Sequence, residues 1–317
     1  MPKYRTNLPQ LEEGALFLTD GGLETSVIFH EGIELPHFAA CELLRSDVGS
    51  DVLRSYFNHY AALAVALGVG LSLDTATWRA NPDWTSLLGY DAEEFDAVNR
   101  RSVQLAEKIR RVWETDATPI VIAGAIGPRG DGYRADERQS AQQAASYHSR
   151  QIDVFADTEV DFVSALTINY SAEAIGLARA AKAMSMPISI SFTVETDGRM
   201  ASGETVVDAI AAVDADTGSY PEYYMVNCVH PTHFPEDFHS SVAAQRLRGF
   251  RANASRLSHA ELDESETLDA GDPDELGLQI LDLRERMPQL SVLGGCCGTD
   301  VRHIESMARQ LLSARAA

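Results

Sequence analysis

The sequence predicts a closed (β/α)8 barrel, a TIM-type fold of the α/β class, on three observations. Short β-rich runs alternate with amphipathic helical patterns eight times along the 317 residues. Most of these runs are continuously apolar, as parallel strands buried on both faces require. No GxGxxG follows the first strand, which counts against an open doubly wound sheet.

The elements follow in order. The first strand is read at 15–20 (ALFLTD), ending on Asp20, Gly21 and Gly22, where glycines let a ligand approach the backbone. A helix over 51–68 places Val52, Tyr56, Tyr60, Leu63 and Leu67 on one face, with Asp51 able to cap its start and Gly68 its end. The second strand, 69–75 (VGLSLDT), leads to Thr75 and Thr77. A helix over 93–115 precedes the third strand, 119–124 (PIVIAG), and one over 139–157 precedes the fourth, 160–166 (VDFVSAL). The fifth strand, 187–193 (PISISFT), follows a helix at 172–184, and the sixth, 223–228 (YYMVNC), follows one at 205–213. The seventh strand is 247–254 (LRGFRANA) and the eighth 290–295 (LSVLGG), with helices over 274–286 and 301–314. No Pro/Gly/Ser-rich linker or 20–50-residue repeat interrupts this order, so residues 1–317 read as one domain. The acidic stretch 255–273 (SRLSHAELDESETLDAGDP) reads either as a disordered loop or as a lid over the barrel mouth.

Composition narrows the function classes. Hydrophobic residues at 45% and charged residues at 23% are ordinary for a folded domain and exclude a disordered or fibrous chain. Against 26 Lys and Arg stand 47 Asp and Glu, a net charge of −21 that repels phosphate backbones and anionic lipid. Neither nucleic acid nor a membrane surface is an expected partner. The opening MPKYRTNLPQLEEG has no apolar core of a signal peptide, and no apolar run reaches the ~18 residues of a spanning helix, so a cytoplasmic location is expected.

Barrel sites lie at the C-terminal ends of the strands, and three of the four cysteines fall there. Cys228 closes the sixth strand in VNCVHP, and Cys296 and Cys297 follow the eighth in GGCCGTD. Strands six and eight are near neighbours in a closed barrel, so the three thiolates can converge on a zinc ion with an open fourth position. Other readings stand beside this one: small buried residues, an oxidised pair, or a phosphate nest built from Gly294, Gly295 and Gly298. Cys41, in FAACELL, reads as core. Asp20 can accept from a ligand ammonium or cap a turn. Thr75, Thr77 and Asn227 can hold substrate polar groups or satisfy backbone. His230, His233 and His303 are candidate fourth ligands or bases, or merely loop and cap residues.

TDGGLET, VNCVHP and GGCCGTDVRHI, supported by AGAIGPRG and SISFTVETDGRMASGET, together resemble the homocysteine S-methyltransferase family over about residues 14 to 312. The resemblance implies a (β/α)8 barrel whose Cys228, Cys296 and Cys297 hold zinc, with a substrate thiol as fourth ligand. It implies a small sulfonium or betaine-like methyl donor, methionine as the product of homocysteine, Asp20 and Gly21 at the substrate's amino end, and Thr75 and Asn227 nearby. The sequence departs from the family pattern after the fourth strand, where Leu166 occupies the place of a glutamate that holds an ammonium group. Either Asp20, Glu24 or Glu195 takes over, or the thiol lacks that group. A barrel acting on another thiol, or a non-catalytic zinc- or thiol-binding subunit, is the alternative.

Overall fold

The computed structural model describes residues 2–136 and 138–316. Its eight parallel strands close into a barrel in sequence order. They are β1 (Phe17–Leu18), β2 (Gly70–Asp74), β3 (Ile120–Ile126), β4 (Phe162–Ile168), β5 (Ile188–Phe192), β6 (Tyr223–Val229), β7 (Leu247–Ala252) and β8 (Val292–Gly295). All eight coincide with the apolar runs of the sequence. The seam is made by β1 and β8, where Phe17 faces Val292 and Leu18 faces Leu293. Beyond those two residues the Thr19 N–H still donates to the Leu293 carbonyl (3.0 Å) and the Gly295 N–H to the Asp20 carbonyl (3.0 Å).

Ten helices surround or cap the strands: α1 (Leu23–Phe29), α2 (Asp47–Leu67), α3 (Pro82–Leu87), α4 (Ala92–Trp113), α5 (Ala141–Ala156), α6 (Ser171–Ala183), α7 (Val206–Thr217), α8 (His259–Asp263), α9 (Pro273–Arg286) and α10 (Val301–Ala316). The start of α2 corrects the sequence reading. Ser46 rather than Asp51 is its cap, accepting from the Gly49 N–H, and Asp51 pairs with Arg54 inside the helix. The first turn, Asp47 to Ser50, carries no apolar periodicity, so the pattern registers one turn late. Gly68 ends α2 in the left-handed region at φ 64°, the conformation that favours glycine there. α7 likewise outlasts its expected end and stops at Gly218, φ 70°. α1 and α3 are too short to leave a periodic signal.

A continuous apolar layer lies between strands and helices. A second, smaller cluster of Leu8, Phe17, Val121, Phe162, Tyr223 and Val292 fills the lower interior. The barrel is thus plugged at one end and open for chemistry at the other. Stretch 255–273 is not featureless: it contains α8, and Leu262, Asp263, Leu268 and Asp269 line the mouth, which favours the lid over the disordered loop. Among the described residues no helix is long and apolar enough to cross a membrane.

Candidate active site

Two local irregularities at the strand ends create the site. The β4–β5 register shifts between Ala165 and Ile168, and the β6–β7 register between Asn227 and Val229. Thr167 (φ 62°) and Cys228 (φ 55°) sit in these bulges in the left-handed region, a conformation costly for residues with a Cβ. The cost is met by cross-strand bonds: Asn227 Oδ1 accepts from the Thr167 N–H (2.8 Å), and Asn227 Nδ2 donates to Thr167 Oγ1 (2.9 Å). The bulge turns the Cys228 side chain into the mouth.

Across the barrel, Cys296 and Cys297 leave β8. Gly294 and Gly295 are required just before them, because a Cβ on either would run into the Thr19 or Thr299 hydroxyl. The sulfurs of Cys228, Cys296 and Cys297 all lie within 4.8 Å of one another, and among the described residues no imidazole or carboxylate joins them. Cys228 and Cys296 are paired as a disulfide, with Cα atoms 5.3 Å apart, and Cys297 is the free thiol. Burial pushes the Cys297 thiol up to about 11, so a bound cation is what would draw its thiolate out at neutral pH. Two donors point at the Cys228 sulfur, the Tyr133 hydroxyl (3.3 Å) and Asn227 Nδ2 (3.4 Å).

The three cysteines line one pocket together with Asp20, Gly21, Glu24, Thr75, Leu166 and Asn227. Asp20, Gly21, Thr75 and Asn227, the substrate contacts expected from sequence, all line it, while Glu195, offered as a substitute for the missing glutamate, does not. Gly21 lets the chain pass close to Thr299, whose carbonyl would be 2.6 Å from an added Cβ. Thr75 Oγ1 accepts from the Ala125 N–H (2.9 Å) and donates to Thr77, which donates to the Ala125 carbonyl (2.7 Å). Thr77 is thus a scaffold for Thr75.

Other candidates fall away. His230 bonds Thr232, and burial pushes its pKa down to about 4; His303 is held by Asp300 and the Ala270 carbonyl. Neither lines the pocket, nor does His233, and each serves a loop or a helix start. The phosphate nest is also excluded. The Gly295 amide is spent on the barrel seam and the Gly298 amide on Thr25 Oγ1, while Gly294 lies within β8. Cys41 is a buried core residue, as expected.

Two features were not assigned from sequence. Arg251 of β7 reaches across the barrel to Asp20 (2.5 Å) and to Asp74, and its Nε donates to the Gly295 carbonyl (3.1 Å). All three side chains are buried. Burial still holds the Asp20 carboxyl up at about 6, while Arg251 opposes that rise and the two acids keep its own pKa high. A charge inside an apolar strand run was the available signal. Tyr133 comes from the loop after β3 and left no periodic trace.

Glu24 is the contrasting case. It lies in the first turn of α1 and lines the same pocket; its own backbone N–H is a hydrogen-bond partner, and among the described residues no side chain pairs with it. Enclosure raises its pKa to about 7, from an ordinary 4.5. The folded state therefore holds a proton more tightly than the unfolded chain, and stability falls as pH rises through about 4.5 to 7. Glu24→Gln removes that loss. Melting curves of the ligand-free protein should show the variant about 2–5 °C more stable at pH 8 and unchanged within about 1 °C at pH 4.5. Equal melting points at both pH values would contradict this assignment.

The sequence model of the family described as homocysteine S-methyltransferase matches residues 17–311. The homocysteine S-methyltransferase of Escherichia coli (strain K12) is 26% identical over 167 residues, covering 49% of this chain and 53% of that protein, so the matched stretch spans about half the relative's length. Homocysteine S-methyltransferase 4 of Zea mays is 25% identical over 325 residues, covering 96% of this chain and 91% of that protein. The crystallised homocysteine methyltransferase MmuM of Escherichia coli superposes with a TM-score of 0.73 in its oxidized form, over 99% of this chain and 100% of that one, at 19% identity. That structural likeness speaks to the barrel; with the family match over nearly the whole chain, it follows that the chain belongs to the homocysteine S-methyltransferase family.

Proposed function

We propose that the chain moves a methyl group from a small sulfonium or betaine-like donor to a thiol, homocysteine first, with Cys228, Cys296 and Cys297 as the ligands of a zinc ion. The observation that carries this reading is the convergence of three sulfurs within 4.8 Å on the pocket wall. The donor set fits the ion: three soft thiolates leave one tetrahedral position for a fourth sulfur. Bound zinc would lower the substrate thiol's pKa, so that a nucleophilic sulfur exists at neutral pH.

The chain's own groups do the rest. Reduction of the Cys228–Cys296 bond is a precondition, since it frees two of the three ligands. Tyr133 and Asn227 donate to Cys228 and fix its orientation, and Thr167 fixes Asn227. Asp20, Gly21, Thr75 and Asn227 are the proposed substrate contacts. Phe38, Trp78 and Tyr133 line the mouth beside the cysteines, surfaces that suit a positively charged methyl donor. In the transfer the substrate sulfur forms the new S–CH3 bond. The donor's bond from methyl to its cationic sulfur or nitrogen breaks, its electron pair staying on that atom, which leaves neutral.

Leu166 favours examining a second reading, a different thiol in the same pocket. One titration addresses both. L-Homocysteine is titrated calorimetrically into reduced, zinc-loaded protein in two buffers of different ionisation enthalpy. Micromolar binding with about one proton released supports homocysteine entering as thiolate. Absence of binding to protein that demonstrably holds zinc would reject homocysteine and turn the search to other thiols. Methylated thiol formed with a donor panel and no partner protein excludes a non-catalytic subunit.

A further inference from the structure

Four carboxylates bear on how this pocket recognises its thiol, and three are already engaged. Asp20 gives one oxygen to Arg251 (2.5 Å) and the other to the Tyr56 hydroxyl (3.2 Å). Asp74 is spent on the same arginine. Glu195 accepts from His259 Nδ1 (2.8 Å), whose other nitrogen faces the Cys228 carbonyl (2.8 Å). It lies outside the pocket that holds the cysteines. Among the described carboxylates, Glu24 alone lines that pocket with no side-chain or charged partner, only its own backbone N–H. The charges that act on it are Asp20, which is unfavourable, and the cations Arg79 and Arg251, neither of which forms an ion pair with it.

An enclosed carboxylate without a countercharge is costly, and the cost is recovered when a ligand brings a positive group to it. We propose that Glu24 is the specificity-determining residue for the thiol, receiving the ammonium group of an amino-acid thiol whose sulfur lies at the three cysteines. The inference rests on the methyl-transfer reading above and deepens it. Leu166, also on the pocket wall, is buried and can accept no hydrogen bond. It supplies an apolar surface for the methylene chain, and the polar end is served from α1 instead of from β4. Glu24 touches neither the sulfur nor the transferred methyl in this arrangement. Its substitution should therefore move substrate affinity far more than the rate at saturation.

The test compares L-homocysteine with its des-amino analogue, mercaptobutanoate, by calorimetry on reduced, zinc-loaded protein. The two thiols differ at the ammonium and share the sulfur and the carboxylate. Wild type should bind homocysteine at least about tenfold more tightly, as loss of a charged hydrogen-bond partner implies. Glu24→Gln should bring the two thiols to within about twofold, raise the KM for homocysteine at least about tenfold and change kcat by less than about threefold. The double variant Glu24→Ala with Leu166→Glu carries the carboxylate from α1 to the β4 position on the same pocket and should restore much of the preference, which a merely structural role for Glu24 would not allow. Equal binding of both thiols by the wild type would overturn the inference while leaving thiol methylation intact. So would an unchanged preference in Glu24→Gln. Failure of zinc-loaded protein to bind any thiol would overturn both readings together.

Discussion

Cys296→Ala and Cys297→Ala proteins are expected to fold, to hold less than about a tenth of the zinc of wild type, and to lose turnover by at least ~10³-fold. The reasoning is geometric. Three sulfurs within 4.8 Å make a ligand set with no reserve, because among the described residues no histidine or carboxylate stands close enough to substitute. Folding should survive, since Cys297 is only partly buried and neither cysteine belongs to the apolar layer between strands and helices. Elemental analysis after gel filtration reads the metal, and methionine formation reads the activity. Cys41→Ala is the control. That thiol is buried with its pKa pushed up to about 12, faces the Arg79 carbonyl and should leave both readings unchanged. A metal-free Cys297→Ala enzyme with full activity would end the zinc reading.

Arg251→Met should be the most destabilising single change at this end of the barrel. It leaves Asp20 and Asp74 buried without their cation, and breaking a buried pair by removing one partner costs about 3–5 kcal/mol. The sign of the pH dependence is fixed by the acids. Burial already raises the Asp20 carboxyl to about 6, so near pH 5 the folded variant can take up a proton and shed part of the penalty. Denaturant unfolding should therefore show a large loss at pH 8 and a smaller one at pH 5. Replacing all three charges, as Asp20→Asn, Asp74→Asn and Arg251→Met together, should recover most of the stability. A loss below about 1 kcal/mol for Arg251→Met at pH 8 would show that the triad is not a coupled unit.

The barrel was legible because its strands are buried on both faces, which writes them as uninterrupted apolar runs. The three cysteines were legible because a strand end in this fold points to one mouth, whatever the distance in sequence. The charged triad was only half legible. The aspartate in LSLDT and the second arginine in LRGFRANA are visibly out of place, yet pairing them needs the ring closure that puts β1, β2 and β7 around one interior. Tyr133 and α8 come from loops, where no period constrains the residues, and for the same reason the histidines could be read either as ligands or as the loop and cap residues they are. The choice among Asp20, Glu24 and Glu195 could not be made from sequence. It depends on which carboxylates already have partners.

The division of the three sulfurs between β6 and the end of β8 has a consequence for the order of assembly. A chain emerging during synthesis carries one of the three thiols once Cys228 has appeared and gains the other two only at Cys296 and Cys297, 68 and 69 residues later. Those last two are positioned only when β8 has docked between β7 and β1. No partial barrel can bring the three sulfurs together, so with these as the proposed ligands metal capture would report that the ring has shut, and truncation before β8 should abolish it.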